Sequence, residues 1–378
     1  MKKMQKLFRV ISSLAVLCSL SSVIFGQNLG YSVVDNNQDA SNRRQQFYQI
    51  NVTSGETTYL GDLVSSSGQR IIREYEGLTS IGSSVYGVAE YAGLTGGGVD
   101  CNTGDDPITG LSSDLRILRR QPVQTVPTGA NPTPAQVALP NGVNTILGPQ
   151  IGETCINAAD GGTEAGTGYN ALDGFIYHIS SDDNFPANNV RSRLYRVSPS
   201  TGLATFVANV TNPDFGTDGG DEFPYLDGFT VFPNGDAYGT EARFSVDPNP
   251  ADADNRDFGG LYRINLANGD ADFVKYLFPT DLNVDTGLAH RGTNTLFILN
   301  ERGIIYQTTT ASNTAVSAGT AMRTTGATSG AGGGAAGTRI QGCRGAVVAN
   351  PEFEEGITPT VGGCRDFEGL DIPNPAFN

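Results

Sequence analysis

Leu194-Tyr195-Arg196-Val197, followed by Gly202 and then by Phe206-Val207, is the stretch on which the fold turns. The same offsets recur in Leu261-Tyr262-Arg263-Ile264, Gly269 and Phe273-Val274, and again in Phe47-Tyr48-Gln49-Ile50, Gly55 and Tyr59-Leu60. Each copy reads as two alternating strands joined by a tight turn, because Gly takes the positive φ that a residue with a Cβ resists. Degenerate copies without the turn glycine begin at Leu115 and Ile305.

A second pattern precedes each hairpin: a Gly and an apolar residue open one strand, and an aromatic residue follows nine or ten positions after the Gly. Its copies are Gly77-Leu78 with Tyr86, Gly168-Tyr169 with Tyr177, Gly228-Phe229 with Tyr238, and Gly287-Leu288 with Phe297. Together the two patterns give four short strands per unit, the make-up of a propeller blade. Glu368-Gly369-Leu370-Asp371-Ile372 supplies the opening strand of a further unit whose other strands are Tyr31 to Asp35, Phe47 to Asn51 and Thr57 to Leu60. The expected fold is therefore all-β, a five-bladed β-propeller closed by pairing of N- and C-terminal strands, which removes two sheet edges. Blades are expected at about 77-127, 167-208, 228-277 and 286-317, and a fifth joins 366-372 to 29-62, with long loop insertions at about 91-112, 128-166, 181-192, 209-226 and 318-365.

Gly168-Tyr169-Asn170-Ala171-Leu172-Asp173-Gly174-Phe175-Ile176-Tyr177-His178-Ile179, with the Leu194 to Gly202 repeat, resembles the units of uncharacterised secreted bacterial β-propeller repeat proteins of the LYRI type. The resemblance covers blades 2 to 4 well, the rest in part and the insertions not at all. It implies fold and export, and it brings no catalytic residues with it.

Residues 1-26 form a basic start (Lys2, Lys3, Lys6, Arg9), an apolar stretch from Val10 to Phe25 and a small residue at Gly26, the layout of a signal peptide. Residues 27-378 are then one propeller domain, exported to the cell surface or the extracellular space. The apolar stretch is shorter than the roughly 20 residues of a spanning helix, and no later segment is apolar enough to span a bilayer. Cys101, Cys155, Cys343 and Cys364 remain after cleavage, an even number that points to two disulfides in an oxidising compartment. Three pairings are open, and proximity favours Cys101 with Cys155 and Cys343 with Cys364. Asn51-Val52-Thr53 and Asn209-Val210-Thr211 are glycosylation acceptors in a eukaryotic host. The whole chain carries 24 Lys and Arg against 39 Asp and Glu, a net charge of -15, which disfavours nucleic acid and anionic membranes and favours cations or basic partners.

The blade alignment gathers acids. Glu76, Asp227, Asp285 and Glu368 precede inner strands, and Glu90, Glu241, Glu301 and Asp35 follow the next strands. Antiparallel neighbours put the start of one strand beside the end of the other, so both sets are expected on one face, near the channel mouth. Such crowded carboxylates raise one another's pKa or recruit a hard cation, with Ca²⁺ as the expected cofactor. The alternative is that they cap strand ends and stay solvated. The second blade departs from the pattern, with Thr167 and Ser181 at the two positions. Glu76-Gly77-Leu78 leading to Glu90 is distantly similar to esterase-like and phytase-like propellers. Asp252 to Gly260 misses the spacing of a calcium loop, and Asp214, Asp218, Asp221 and Glu222 fit a calcium-bound or a hydrated loop equally.

There is no G-x-S-x-G elbow and no Gly-Lys-Ser/Thr phosphate loop, and His178 and His290 are the only histidines. The expected function is a secreted, non-catalytic propeller that binds a glycan, protein or cation at the cell surface or in an extracellular matrix. The alternative is a Ca²⁺-dependent hydrolase of phosphoesters, esters or lactones, with metal-bound water as nucleophile.

Overall fold

A computed structural model describes residues 29–35, 45–64, 75–82, 84–89, 114–120, 145–147, 150–154, 156, 166–181, 192–218, 222–241, 259–277, 286–300, 304–312, 320–321, 323–324 and 366–372. Residues 1-26, the four cysteines and the Asp252 loop lie outside the described residues. The strands in chain order are β1 (Leu29–Asp35), β2 (Gln45–Asn51), β3 (Glu56–Val64), β4 (Tyr75–Ile81), β5 (Ser84–Ala89), β6 (Asp114–Arg120), β7 (Thr145–Leu147), β8 (Gln150–Glu153), β9 (Thr167–Asn170), β10 (Phe175–Ser181) and β11 (Ser192–Val197). They continue as β12 (Ala204–Asn209), β13 (Leu226–Val231), β14 (Ala237–Glu241), β15 (Gly260–Ile264), β16 (Ala271–Tyr276), β17 (Thr286–Arg291), β18 (Thr295–Asn300), β19 (Ile304–Thr309), β20 (Thr320–Ala321), β21 (Arg323–Thr324) and β22 (Asp366–Asp371). The described residues contain no helix, and hence none long and apolar enough to cross a membrane.

The repeated hairpin has a common physical cause. In all three copies the turn glycine has φ near +75° (73° at Gly55, 80° at Gly202, 77° at Gly269), and its N–H donates to the carbonyl four residues back. The register then slips by one residue at the same point: Tyr195 pairs with Phe206 while Leu194 pairs with Ala208, and Tyr262 pairs with Phe273 while Leu261 pairs with Lys275. Tyr48 and Tyr59 repeat this, with Phe47 opposite Gly61. The second letter of each Phe-Val or Tyr-Leu pair is thus the extra residue of a β-bulge, which increases local twist. The first letter packs its ring edge-on against the repeat tyrosine, at 5.7 Å for Tyr195 and Phe206 and 5.5 Å for Tyr262 and Phe273.

Among the described residues there are four hydrogen-bonded sheets in a propeller-like ring, not the five separate blades the repeats predict. Three of them are four-stranded: β9 to β12, β13 to β16 and β17 to β20. The fourth has ten strands, because β7 pairs in parallel with β3 (Leu63 opposite Ile146) and antiparallel with β6 (Arg120 opposite Ile146), fusing two units through their outer edges. Both β7 and β8 lie within the stretch 128-166. An outer strand left open is a template for intermolecular pairing, and β7 closes two such edges at once. At the ends of this sheet stand β22 and β4. β22 pairs antiparallel with β1 (Tyr31 opposite Asp371, Val33 opposite Glu368), so the C-terminal strand is locked by the N-terminal one.

The strands nearest the axis pack in the cyclic order β22, β4, β9, β13, β17 and back to β22. Each seam has its own apolar cluster. Tyr48, Leu370 and Phe297 fill one, Phe47, Tyr75 and Leu78 the next, and Val88 and Ile176 a third. Leu194, Phe229 and Tyr262 fill the fourth, and Phe232, Leu261 and Leu288 the last. At particular glycines the inner strands come too close for a side chain. A Cβ on Gly168 would lie 2.5 Å from the backbone N of Val231, and one on Gly77 would lie 2.7 Å from the backbone N of Thr167. The glycines that open β4 and β9 are therefore a closeness requirement of the ring.

Lys275 ties two sheets together. Its ammonium, on β16, donates to Thr308 Oγ1 (2.8 Å), the Thr309 carbonyl (2.7 Å) and the Ala311 carbonyl (3.1 Å) at the end of β19, and burial pulls its pKa down.

Gly168→Ala is expected to lower stability by roughly 1–3 kcal/mol through overpacking against backbone that cannot yield, read as a fall in the urea midpoint. Lys275→Met, which keeps the stem and strands its acceptors, is expected to cost about 1–3 kcal/mol in the same measurement.

Candidate functional site

Contacts between inner strands show that these strands run in one direction around the ring. Gly166 N–H donates to the Asp227 carbonyl (2.6 Å) where β9 and β13 begin, and Ser80 meets Asp371 where β4 and β22 finish. Glu76, Asp227 and Glu368 each stand directly before the inner-strand glycine on β4, β13 and β22, so their backbone positions share one end of the ring. Asp35, the last residue of β1, pairs with Asp366 at this end. Glu90, Asp285 and Glu301 lie outside the described residues. On β9 and β17 the residue directly before the glycine is a threonine, Thr167 and Thr286.

Asp227 and Glu241 are the two acids of this set whose side chains are described. Leu226 pairs with Glu241 and Gly228 with Thr240, leaving Asp227 as the extra residue of a bulge. β4 repeats the irregularity, with Tyr75 opposite Ala89 and Gly77 opposite Val88, so Glu76 is the extra residue there. Register also refines the alignment: Glu241 corresponds to Ala89, and Glu90 comes one residue later. Asp227 and Glu241 are 8% and 5% exposed. One Glu241 oxygen, Oε2, accepts the Gly260 N–H (3.2 Å) and the Tyr262 hydroxyl (3.3 Å), which holds this carboxylate at the entrance of β15.

The departure in the second blade has a structural use. Ser181 donates its hydroxyl to the Leu226 carbonyl, Leu226 N–H donates to Ser192 Oγ (2.9 Å), and Ser192 donates to the Pro224 carbonyl (3.0 Å). Two buried hydroxyls, Ser181 standing where the repeat predicts an acid, thereby fix the chain directly before Asp227. Composition gave no signal for this network. The pairing of Ser181 with Ser192 across β10 and β11 is its only trace in sequence, and it needs the register to be seen.

At the opposite end, charged side chains meet partners of several kinds. Asp236 and Arg263 form a salt bridge of 2.5 Å, which lowers the Asp236 pKa and raises that of Arg263. In the preceding sheet Asp173 accepts the Tyr177 hydroxyl (2.7 Å), with burial and that bond pushing Tyr177 up to about 12, and Arg196 lies over the Phe175 ring at 4.4 Å. The third letter of the repeat thus serves this end in both sheets. In the loop before β13, Asn212 donates to both Asp218 oxygens (3.2 and 3.0 Å), and Asp218 accepts the edge N–H of Phe273 (3.3 Å). That aspartate covers an outer strand. Among the described residues no three His, Cys, Asp or Glu side chains assemble as a metal-holding group.

No family model matches the chain, and no curated protein matches it in sequence. Solved structures similar in fold include an exo-β-1,3-galactanase from Phanerochaete chrysosporium (10% identity, TM-score 0.37, 68% of this chain and 51% of that one). The chain thus spans about half of the galactanase's length. Others are a 6-phosphogluconolactonase-like protein from Bacteroides uniformis (11%, 0.31, 78% and 68%) and a protein of unknown function from Dyadobacter fermentans (10%, 0.35, 73% and 72%).

Glu241→Gln keeps an acceptor for Gly260 and Tyr262 and is expected to unfold close to the wild type. Glu241→Ala leaves both donors unmatched and is expected to cost about 1–3 kcal/mol, compared by urea denaturation of the two variants.

Proposed function

We propose that the chain is an exported, non-catalytic propeller of five repeats that binds a hard cation, or a cationic group of an extracellular partner, at the end where its inner strands begin. The observation that carries this reading is the bulge shared by β4 and β13, which sets Glu76 and Asp227 at the same point of their strands. Bulges of this kind re-aim side chains next to functional sites. The donors are carboxylate oxygens, the chemistry a Ca²⁺ ion takes, and the net charge of -15 favours its approach. Asp227 and Glu241 would be its described ligands, with Glu76, Glu368 and Asp35 reaching from neighbouring strands, and Glu90, Asp285 and Glu301 completing the set. At the opposite end Asp236 is already paired with Arg263. In this reading the ten-stranded sheet would supply two of the five repeats, with β22 and β4 as their inner strands. The pairs Cys101 with Cys155 and Cys343 with Cys364 would staple the long insertions.

A thermal melt in Ca²⁺ and in chelator tests the reading. With Ca²⁺ at a hundredfold excess over its Kd the expected gain is about 2.7 kcal/mol, a rise of several degrees. Asp227→Asn is expected to remove most of that rise. Identical melts with and without Ca²⁺ would overturn the cation site.

A further inference from the structure

Two seams between inner strands are closed by a polar pair at matching positions, the residue two past one strand's glycine meeting the residue three past the next strand's. Thr230 Oγ1 lies 3.0 Å from His290 Nδ1 between β13 and β17, and Ser80 donates to Asp371 Oδ1 at 3.3 Å between β4 and β22. At the intervening seam the same two positions hold Ala289 and Ile372, both in one apolar cluster. Asp371 is 9% exposed, and its Oδ2 is buried with no hydrogen-bond partner among the described residues. A carboxylate so placed is out of keeping with its seam, whereas a neutral carboxyl suits it. It ends β22, the strand that closes the ring by pairing with β1.

We propose that Asp371 is a proton-operated latch on the closing strand: while its carboxyl is neutral β22 stays seated against β4, and ionisation loosens that seam. The latch lies at the far end of β22 from Glu368 and does not depend on the cation reading.

Burial drives the Asp371 pKa up to about 7, although bonds from the Ser80 hydroxyl and the backbone of Ser80 and Ile372 favour the anion. The groups facing it from the surrounding strands do not offset that burial. β1 brings Tyr31, directly opposite Asp371 and already accepting from Gln49 at 2.8 Å, and Asp35 at the other end of the strand. β4 brings Tyr75 and Glu76 at its start, and β18 has no titratable residue. β17 brings His290, which burial pulls down to about 4 and so keeps neutral, and Arg291, whose guanidinium sits over Phe297 at 4.7 Å. Asp366 and Glu368 stand towards the start of β22 itself. The folded chain thus keeps a proton up to about pH 7 that the unfolded chain releases near 3.8, so this contribution to stability falls as pH rises between those values and is gone above the upper one.

Hydrogen exchange of the full chain at pH 6 and pH 8, corrected for intrinsic rates, reads the latch directly. Protection of β22 and of the facing amides of β4 is expected to fall roughly tenfold at pH 8, one unit past the transition, while β13 to β16 hold theirs. In Asp371→Asn the protection of β22 is expected to be the same at both pH values. If that variant does not fold, Ser80→Ala serves instead: losing a donor to the anion moves the fall to higher pH. Wild-type protection of β22 that is equal at pH 6 and 8, or a fall spread evenly over all sheets, would overturn the proposal.

Discussion

The structure depends on how closely the inner strands approach one another at the axis. Gly166, Gly168 and Gly77 each leave less than 3 Å between the place of a missing Cβ and the neighbouring strand. That closeness is a steric condition, and it explains why glycine opens β4 and β9 while the apolar residue after it turns into a seam. The apolar clusters then hold the ring from the sides, one at each seam, as layered packing requires. Without the glycines the clusters could not meet.

Much of this was legible in the sequence, because the repeat is written in local chemistry. A turn glycine at a fixed offset, a tyrosine and an aromatic partner are enough to specify strand, turn and strand, and Phe47, Leu194 and Leu261 mark the same register point in three sheets. The pairing of β22 with β1 was legible for the same reason, since Glu368-Gly369-Leu370 carries the inner-strand pattern with no hairpin after it. The division into sheets was not legible. It is set by β7, a three-residue strand that carries no repeat pattern and joins β3 to β6 through backbone groups, which every sequence possesses.

The acids were legible as positions and less so as geometry. Counting from strand aromatics equates Glu90 with Glu241, but the hydrogen-bonded register equates Ala89 with Glu241, and one residue along a strand changes the face a side chain takes. Asp371 carries no such mark in the sequence. Alignment on the glycines sets it beside Thr79, Asn170, Thr230 and Ala289, all buried and all uncharged. A buried carboxyl in a row of neutral side chains stands out only once the row is known.

The choice between acid and threonine before the inner-strand glycine follows from the pairing. On β9 and β17 that residue is threonine and the ladder is regular, Thr167 opposite His178 and Thr286 opposite Asn300. Regular alternation turns Thr167 into the seam, where it is 3% exposed and its Oγ1 lies 2.7 Å from the site of a Gly77 Cβ. A short neutral hydroxyl residue can be placed there, and an ionised carboxylate cannot without a partner. On β4 and β13 the residue is acidic and the ladder slips, so Glu76 and Asp227 are each the extra residue of a bulge. On β22 the slip follows directly after Glu368. On β4 and β13 the bulge and the carboxylate therefore occur together, and the acid takes the place of the extra residue.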